Sequence, residues 1–232
     1  NGSTAFDIVD VTNKSNMSRI GRLRYTDFGY CHQGWLSKDR KYFFLNDEFD
    51  ENTFGYSQTR SIVINVENLA APFLAATFSS GQAAVDHNEY VRGNVLYQAN
   101  YTSGLRVFNI RNPLQPIEVG FFDTHPGAHP DPDHDNGSGV FSYNGAWSNF
   151  PFFPSGTVIV SDINRALFIL DTSAAERCVA IDLNADGFST GDDFDAYVAT
   201  FLQGSDDADF DGNGFVNGDD FDAYVVAFEL GC

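Results

Sequence analysis

Ile64-Asn65-Val66-Glu67-Asn68, followed shortly by Pro72, returns as Phe108-Asn109-Ile110-Arg111-Asn112, with Pro116 in the corresponding place. A weaker copy, Val9-Asp10-Val11-Thr12-Asn13, precedes the first, and a fourth begins at Ile169-Leu170-Asp171-Thr172. Each copy is a run of β-branched and aliphatic residues closed by Asn or Asp, the pattern of a strand entering a turn. The shift that carries Val9 onto Ile64 also lays His32-Gln33-Gly34-Trp35-Leu36 on His87-Asn88-Glu89-Tyr90-Val91, and Tyr42-Phe43 on Tyr97-Gln98. Two separate segments therefore agree on one register. Beyond Tyr90, Arg92-Gly93-Asn94 predicts a tight turn back into Val95-Leu96-Tyr97. A third hairpin is predicted from Gly145-Ala146-Trp147 to Thr157-Val158-Ile159-Val160-Ser161-Asp162, with residues 149–155 in its turn.

A unit of four short strands that keeps returning in this way is the signature of a β-propeller blade, a small sheet that buries its faces only against its neighbours. The reading is mainly β: a partial propeller of about three to four blades over residues 1–175. No helical pattern is read within it. Three units and a part are too few to close a ring of at least four blades, so earlier blades are expected outside this chain. The sequence opens at Asn1 without an initiator Met, a basic n-region or an apolar h-region, so either a signal has been removed or the chain is a fragment, and a fragment is the favoured expectation.

The 232 residues are 43% hydrophobic, enough for a sizeable core. Acids outnumber bases 32 to 13, and a formal charge of −19 repels nucleic acid and anionic membrane surfaces while favouring cations. No apolar stretch approaches the roughly 20 residues that span a bilayer. The charge is uneven. Positions 178–232 hold twelve Asp and one Glu with no Lys or Arg, a formal −13, whereas positions 1–177 hold 19 acids and 13 bases. A second module therefore occupies residues 176–232.

The segments His32-Gln33-Gly34-Trp35, His87-Asn88-Glu89-Tyr90-Val91-Arg92-Gly93-Asn94, the run from Ala99 to Val107, and Asn144-Gly145-Ala146-Trp147 with Pro154-Ser155-Gly156 resemble the choice-of-anchor B family of bacterial surface proteins, built from LVIVD repeats. The resemblance covers about residues 5–172. It implies a secreted or surface-displayed propeller with a variable C-terminal anchor and no established activity.

The sharpest chemistry is C-terminal. In residues 182–193, Asp182, Asn184, Asp186, Thr190 and Asp193 place oxygen ligands at positions 1, 3, 5, 9 and 12 of a loop, with Gly187 at position 6 for the sharp turn. Residues 209–220 repeat the pattern with Asp209, Asp211, Asn213, Asn217, Asp220 and Gly214. The backbone carbonyls of Phe188 and Phe215 would supply position 7. Oxygen-only loops of this EF-hand type predict two calcium ions; zinc would call for His or Cys. Each loop runs into a helix with apolar residues at i, i+3, i+4 and i+7: Phe194, Tyr197, Val198 and Phe201, then Phe221, Tyr224, Val225 and Phe228. No entering helix is read before either loop. Crowded carboxylates and a small core make the module dependent on its metal.

Two loops, each with an exit helix and Asp at position 12, resemble a dockerin, in particular the dockerin-like modules of planctomycete secreted proteins, over residues 178–232. This implies docking to a cohesin-like or other surface protein through loop positions 10 and 11. Those positions are Gly191-Asp192 and Gly218-Asp219 here, a departure from the Ser and Thr frequent in cohesin binders. Cys178 and Cys232 bracket the module; closing that loop as a disulfide would contribute about 4 kcal/mol in the chain-entropy model and implies an oxidising, extracellular compartment.

The remaining signals read as scaffold. The His- and Asp-rich run of residues 123–135 holds four Pro or Gly and is read as an inter-blade loop over a metal site. His32 and His87 recur at one blade position and are read as imidazoles bonding a neighbouring strand; Trp35, Tyr90 and Trp147 are read as matched core positions, and Cys31 as a buried thiol. The expected protein is secreted, bacterial and non-catalytic, displaying a propeller face and docking through its calcium-folded tail. The alternative is a carbohydrate-active enzyme component, a glycoside hydrolase or lyase on a propeller, that carries a dockerin.

Overall fold

A computed structural model describes residues 5–127 and 141–232. The chain is mainly β, built as antiparallel sheets in sequence order. A ribbon pairs β1 (Phe6–Asp10) with β2 (Ser18–Leu23). Two four-stranded meanders follow. The first runs β3 (Cys31–Leu36), β4 (Tyr42–Asp47), β5 (Ser61–Asn65) and β6 (Phe73–Phe78); the second runs β7 (Asn88–Arg92), β8 (Val95–Ala99), β9 (Leu105–Asn109) and β10 (Ile117–Phe122). The third sheet has three strands, β11 (Ala146–Phe150), β12 (Thr157–Asp162) and β13 (Leu167–Asp171).

The four repeat copies close with one hydrogen bond. The side-chain oxygens of Asp10, Asn65, Asn109 and Asp171 each accept from the backbone N–H two positions on, at 2.8 to 3.1 Å. In three copies the next Asn does the same: Asn13, Asn68 and Asn112 accept from Ser15, Ala70 and Leu114. Such Asx turns stop a strand where the chain must reverse, so the recurring Asn or Asp is what terminates the third strand of each unit. By this register β1 matches β5, β9 and β13, and the ribbon corresponds to the outer half of a unit. The hairpin after Tyr90 turns at Gly93-Asn94 alone, with Arg92 still paired to Val95 and Gly93 at φ +63°, a conformation glycine adopts without steric cost. In the third hairpin Asn149 and Phe150 belong to β11, so the turn is shorter than the sequence suggested.

The sheets bury their faces against one another. Ile62, Ile64 and Leu45 meet Phe6, Ile8 and Leu23 of the ribbon; Phe44 and Val63 meet Leu96 and Phe108; Tyr97 and Val107 meet Val158 and Val160. The first strands β3, β7 and β11 stand side by side. Gln33 on β3 and Glu89 on β7 exchange two bonds, Gln33 Nε2 donating to the Glu89 carbonyl at 2.8 Å and Glu89 N–H donating to Gln33 Oε1 at 2.7 Å. Asn149 on β11 donates to the Asn88 carbonyl.

Helix enters at two places that no sequence pattern marked. A short helix α1 (Asp50–Phe54) follows β4, closed by Gly55 at φ +75°. Helix α2 (Ser173–Ile181) follows β13 and leads directly into the first acidic loop, so that loop does have an entering helix. Val179 and Ala175 of α2 pack among Tyr97, Leu105 and Val160. The expected boundary at 175/176 thus falls inside a helix that belongs to the sheet core; the break in element type comes at Thr172. The C-terminal region then continues with α3 (Gly191–Leu202), a 3-10 turn at Asp206–Ala208 and α4 (Gly218–Leu230).

Candidate metal sites

The two acidic loops fold alike at the level of single hydrogen bonds. Asp182 accepts from the N–H groups of Asp186 at 3.1 Å and Gly187 at 3.0 Å; Asp209 accepts from Asn213 at 3.0 Å and Gly214 at 2.8 Å. Asn184 and Asp211 each accept from the residue two on, and Asp186 and Asn213 accept from Phe188 and Phe215. At position 12, Asp193 accepts from Leu183, Asn184 and Thr190, and Asp220 accepts from Phe210, Asp211 and Asn217. Gly187 and Gly214 both take φ +88°, the left-handed bend that turns the loop back on itself. Asp193 and Asp220 also close capping boxes with Thr190 and Asn217 at the N-termini of α3 and α4, which joins each loop rigidly to its exit helix.

The second loop gathers its carboxylates closely, whereas Asp182, Asp186 and Asp193 of the first do not form such a cluster. Carboxylate oxygens of Asp209, Asp211 and Asp220 lie within 4.8 Å of one another. The Asn217 backbone N–H, with those of Asp211 and Phe210, holds the Asp220 carboxyl below its ordinary value and keeps it anionic. A donor set of carboxylate, amide, hydroxyl and backbone oxygens fits a hard divalent cation. The two loops differ in setting. Asp182 is buried and receives Asn109 Nδ2 at 3.0 Å from the end of β9, while Arg111 donates to the Val179 carbonyl. Asp209 and its loop neighbours are more open to solvent. Phe188 and Phe215, whose carbonyls stand at position 7, leave their rings 71% and 74% exposed. Gly191, Asp192, Gly218 and Asp219 are exposed in the first turns of α3 and α4.

A second cluster was not assembled by sequence reasoning. His32 on β3 and His87, just before β7, stack with ring centroids 4.4 Å apart and planes 14° apart. Glu48, immediately after β4, reaches His32 Nδ1 at 3.5 Å and His87 Nε2 at 3.6 Å. His87 is fully buried, and burial drives its pKa down to about 4, so the imidazole is neutral. Its Nδ1 lies 2.6 Å from the Trp147 carbonyl on β11, the imidazole bond to a neighbouring strand that the repeat predicted.

No family model matches this sequence, and neither does any curated protein. Solved structures with some likeness include BamB from Moraxella catarrhalis, at 8% identity and a TM-score of 0.42 over 68% of this chain and 38% of that one. Another is the computationally designed Ika4 protein, at 8% identity and 0.38 over 66% of this chain and 98% of that one. The Pseudomonas aeruginosa periplasmic gluconolactonase PpgL matches at 12% identity and 0.36, over 71% of this chain and 58% of that one. At such scores the architecture rests on the chain's own strand pairing.

Cys31 lies as the sequence predicted, while the other cysteines and the aromatics do not all do so. Cys31 is buried, and burial pushes its thiol up to about 11, as for an unreactive side chain. Cys178 and Cys232 are free thiols, the first buried and the second exposed, rather than a formed disulfide. They are neighbours nonetheless: partial burial first, then the adjacent Cys178, pushes the Cys232 thiol up to about 12. Trp35, Tyr90 and Trp147 do not form one set of core positions. Trp35 is 39% exposed and touches Tyr90 and Phe152, whereas Trp147 is 47% exposed and lies against His87 and Tyr101. The bulges at His32 in β3 and at Trp147 in β11 make Trp147 the counterpart of the histidines and Phe150 that of Trp35. Of the His- and Asp-rich run, Asp123 accepts from the His125 N–H; residues 128–135 lie outside the described residues. No helix among the described residues is long and apolar enough to cross a membrane.

Proposed function

We propose that this chain is a secreted, non-catalytic bacterial protein in which an arc of β-propeller blades presents a binding face. In this reading the dockerin-like tail, folded around two calcium ions, docks the arc to a surface or extracellular-complex protein of cohesin-like kind. The observation that carries it is the pair of loops that make the same hydrogen bonds, with the carboxylates of the second gathered within 4.8 Å. Asp182, Asn184, Asp186, Thr190, Asp193 and the Phe188 carbonyl would hold one ion. Asp209, Asp211, Asn213, Asn217, Asp220 and the Phe215 carbonyl would hold the other. The exposed starts of α3 and α4, with Gly191-Asp192 and Gly218-Asp219, present two related faces to a partner.

Calorimetric titration of the metal-stripped chain with calcium tests the folding half of the proposal. Two ions per chain are expected, with a rise in thermal stability on saturation. No uptake at millimolar calcium refutes it. Capture of partners on the immobilised chain, with and without chelator, tests docking; equal capture in both refutes that half.

A further inference from the structure

We propose that His32, Glu48 and His87 bind a divalent transition-metal ion, zinc first by ligand type, where the first strands of two neighbouring sheets meet. Ligand type separates this site from the acidic loops: two imidazoles and one carboxylate suit zinc and its first-row neighbours and are foreign to calcium. One ligand atom from each residue lies within 4.8 Å of the others. The Glu48 oxygens stand 3.5 Å from His32 Nδ1 and 3.6 Å from His87 Nε2. Donors about 2.0 to 2.1 Å from a tetrahedral zinc are about 3.3 Å apart, and the two stacked rings must tilt out of parallel for both lone pairs to meet one ion.

The hydrogen-bond pattern leaves the cation's place open. His87 Nδ1 lies 2.6 Å from the Trp147 carbonyl and 2.8 Å from Asn88 Nδ2, which itself donates to that carbonyl. Nε2 is buried without a hydrogen-bond partner and faces a carboxylate oxygen. With the ring proton on Nδ1, toward the Trp147 carbonyl, Nε2 and that oxygen are opposed acceptors, and a metal ion between them turns their repulsion into two bonds.

Outer contacts match those that aim metal ligands elsewhere. The Trp147 carbonyl lies against His87 Nδ1, and the Tyr101 hydroxyl donates to Glu48 Oε1 at 2.5 Å. The Glu48 backbone N–H is tied to the Tyr30 carbonyl at 3.0 Å, and the His32 ring lies against Tyr30. His32 is the solvent-facing member, which provides a path of entry and leaves the remaining coordination positions to water or a ligand.

The test is titration of the whole chain with cobalt(II), first saturated with calcium so that the acidic loops do not compete. One equivalent should give the intense visible bands of a four- or five-coordinate nitrogen-and-oxygen site, which zinc then quenches. His32→Ala, at the solvent-facing position, and Glu48→Gln should each weaken binding by about 100-fold or more while circular dichroism stays that of the parent. The proposal is overturned by an absence of such bands, or by unchanged cobalt affinity in a folded His32→Ala protein. Calcium binding is scored separately by calorimetry, so failure of one site is not mistaken for failure of the other.

Discussion

Tyr197 and Tyr224 lie face to face, 3.8 Å between ring centroids and 5° between planes, and each reaches across to the other's loop. Tyr197, from the first unit, donates to the carbonyl of Ala208, which precedes the second loop; Tyr224, from the second unit, points to the carbonyl of Ile181, which precedes the first. The two tyrosines hold equivalent places after their respective loops. Each exit helix thus sets the entry of the opposite loop, which makes the C-terminal region one cooperative body around a shared aromatic core of Phe194, Phe210, Phe221 and Phe228.

Tyr197→Ala should therefore impair both loops. It removes a fully buried ring at a cost of about 3 to 5 kcal/mol, while Tyr197→Phe loses only the bond to Ala208, about 1 kcal/mol. Calcium titration should show both binding steps weakened in the first variant and little changed in the second. Weakening confined to the first loop would contradict the crossed arrangement.

Chelation should unfold the region unevenly. Helices α3 and α4 depend on Asp193 and Asp220, whose carboxylates also serve the loops, whereas α2 keeps Val179 and Ala175 in the sheet core. Hydrogen exchange in chelator should strip protection from residues 191–230 and leave α2 and β7–β13 protected. Uniform loss through α2 would show that the sheets do not anchor it.

Oxidation should join Cys178 and Cys232. Their adjacency makes the bond accessible, and closing the loop stabilises the region by up to about 4 kcal/mol. Mass analysis after mild oxidation should find that bond, with Cys31 still a thiol because it is buried on another sheet. Cys232→Ser should abolish both the bond and the gain in stability.

The strand repeat was legible because one short-range bond, the Asx turn, ends the third strand of every unit and leaves an Asn or Asp in the sequence. The loops were legible for the same reason: the oxygen-bearing side chains and the glycine of each lie within one short, continuous run. Helix α2 was not, because its support is remote. Glu176 bonds Arg92 and Tyr97, and Val179 packs among strands far earlier in the chain. The histidine cluster was half visible. The repeat register pairs His32 with His87, but only the side-by-side packing of β3 and β7 brings them into contact, and nothing local marks Glu48 as their carboxylate. Trp35 and Trp147 were misread because recurrence shows a shared place in the unit, not whether that place faces inward.

The stability of the first four-stranded sheet should fall as pH rises, and Glu51 supplies part of the reason. Its carboxyl is buried at the start of α1, accepting the backbone N–H groups of Arg60 and Asp86, and burial, with Asp86 and Asp50 nearby, raises its pKa strongly. The acid form places a proton toward Asp50, itself raised to about 6 mainly by burial. A raised folded pKa means the native state holds a proton that the unfolded chain releases near the ordinary Glu value of about 4.3. The stabilisation is full below that value and is lost as pH climbs toward the folded pKa. Glu51→Gln keeps the acceptor oxygen and a donor toward Asp50 but cannot titrate. Urea unfolding between about pH 5 and 9 should show a shallower decline in this variant than in the parent. Glu51→Ala should cost roughly 2 kcal/mol or more at every pH, because it leaves two backbone N–H groups without their acceptor. An identical pH slope in the parent and in Glu51→Gln would show that Glu51 does not carry the proton.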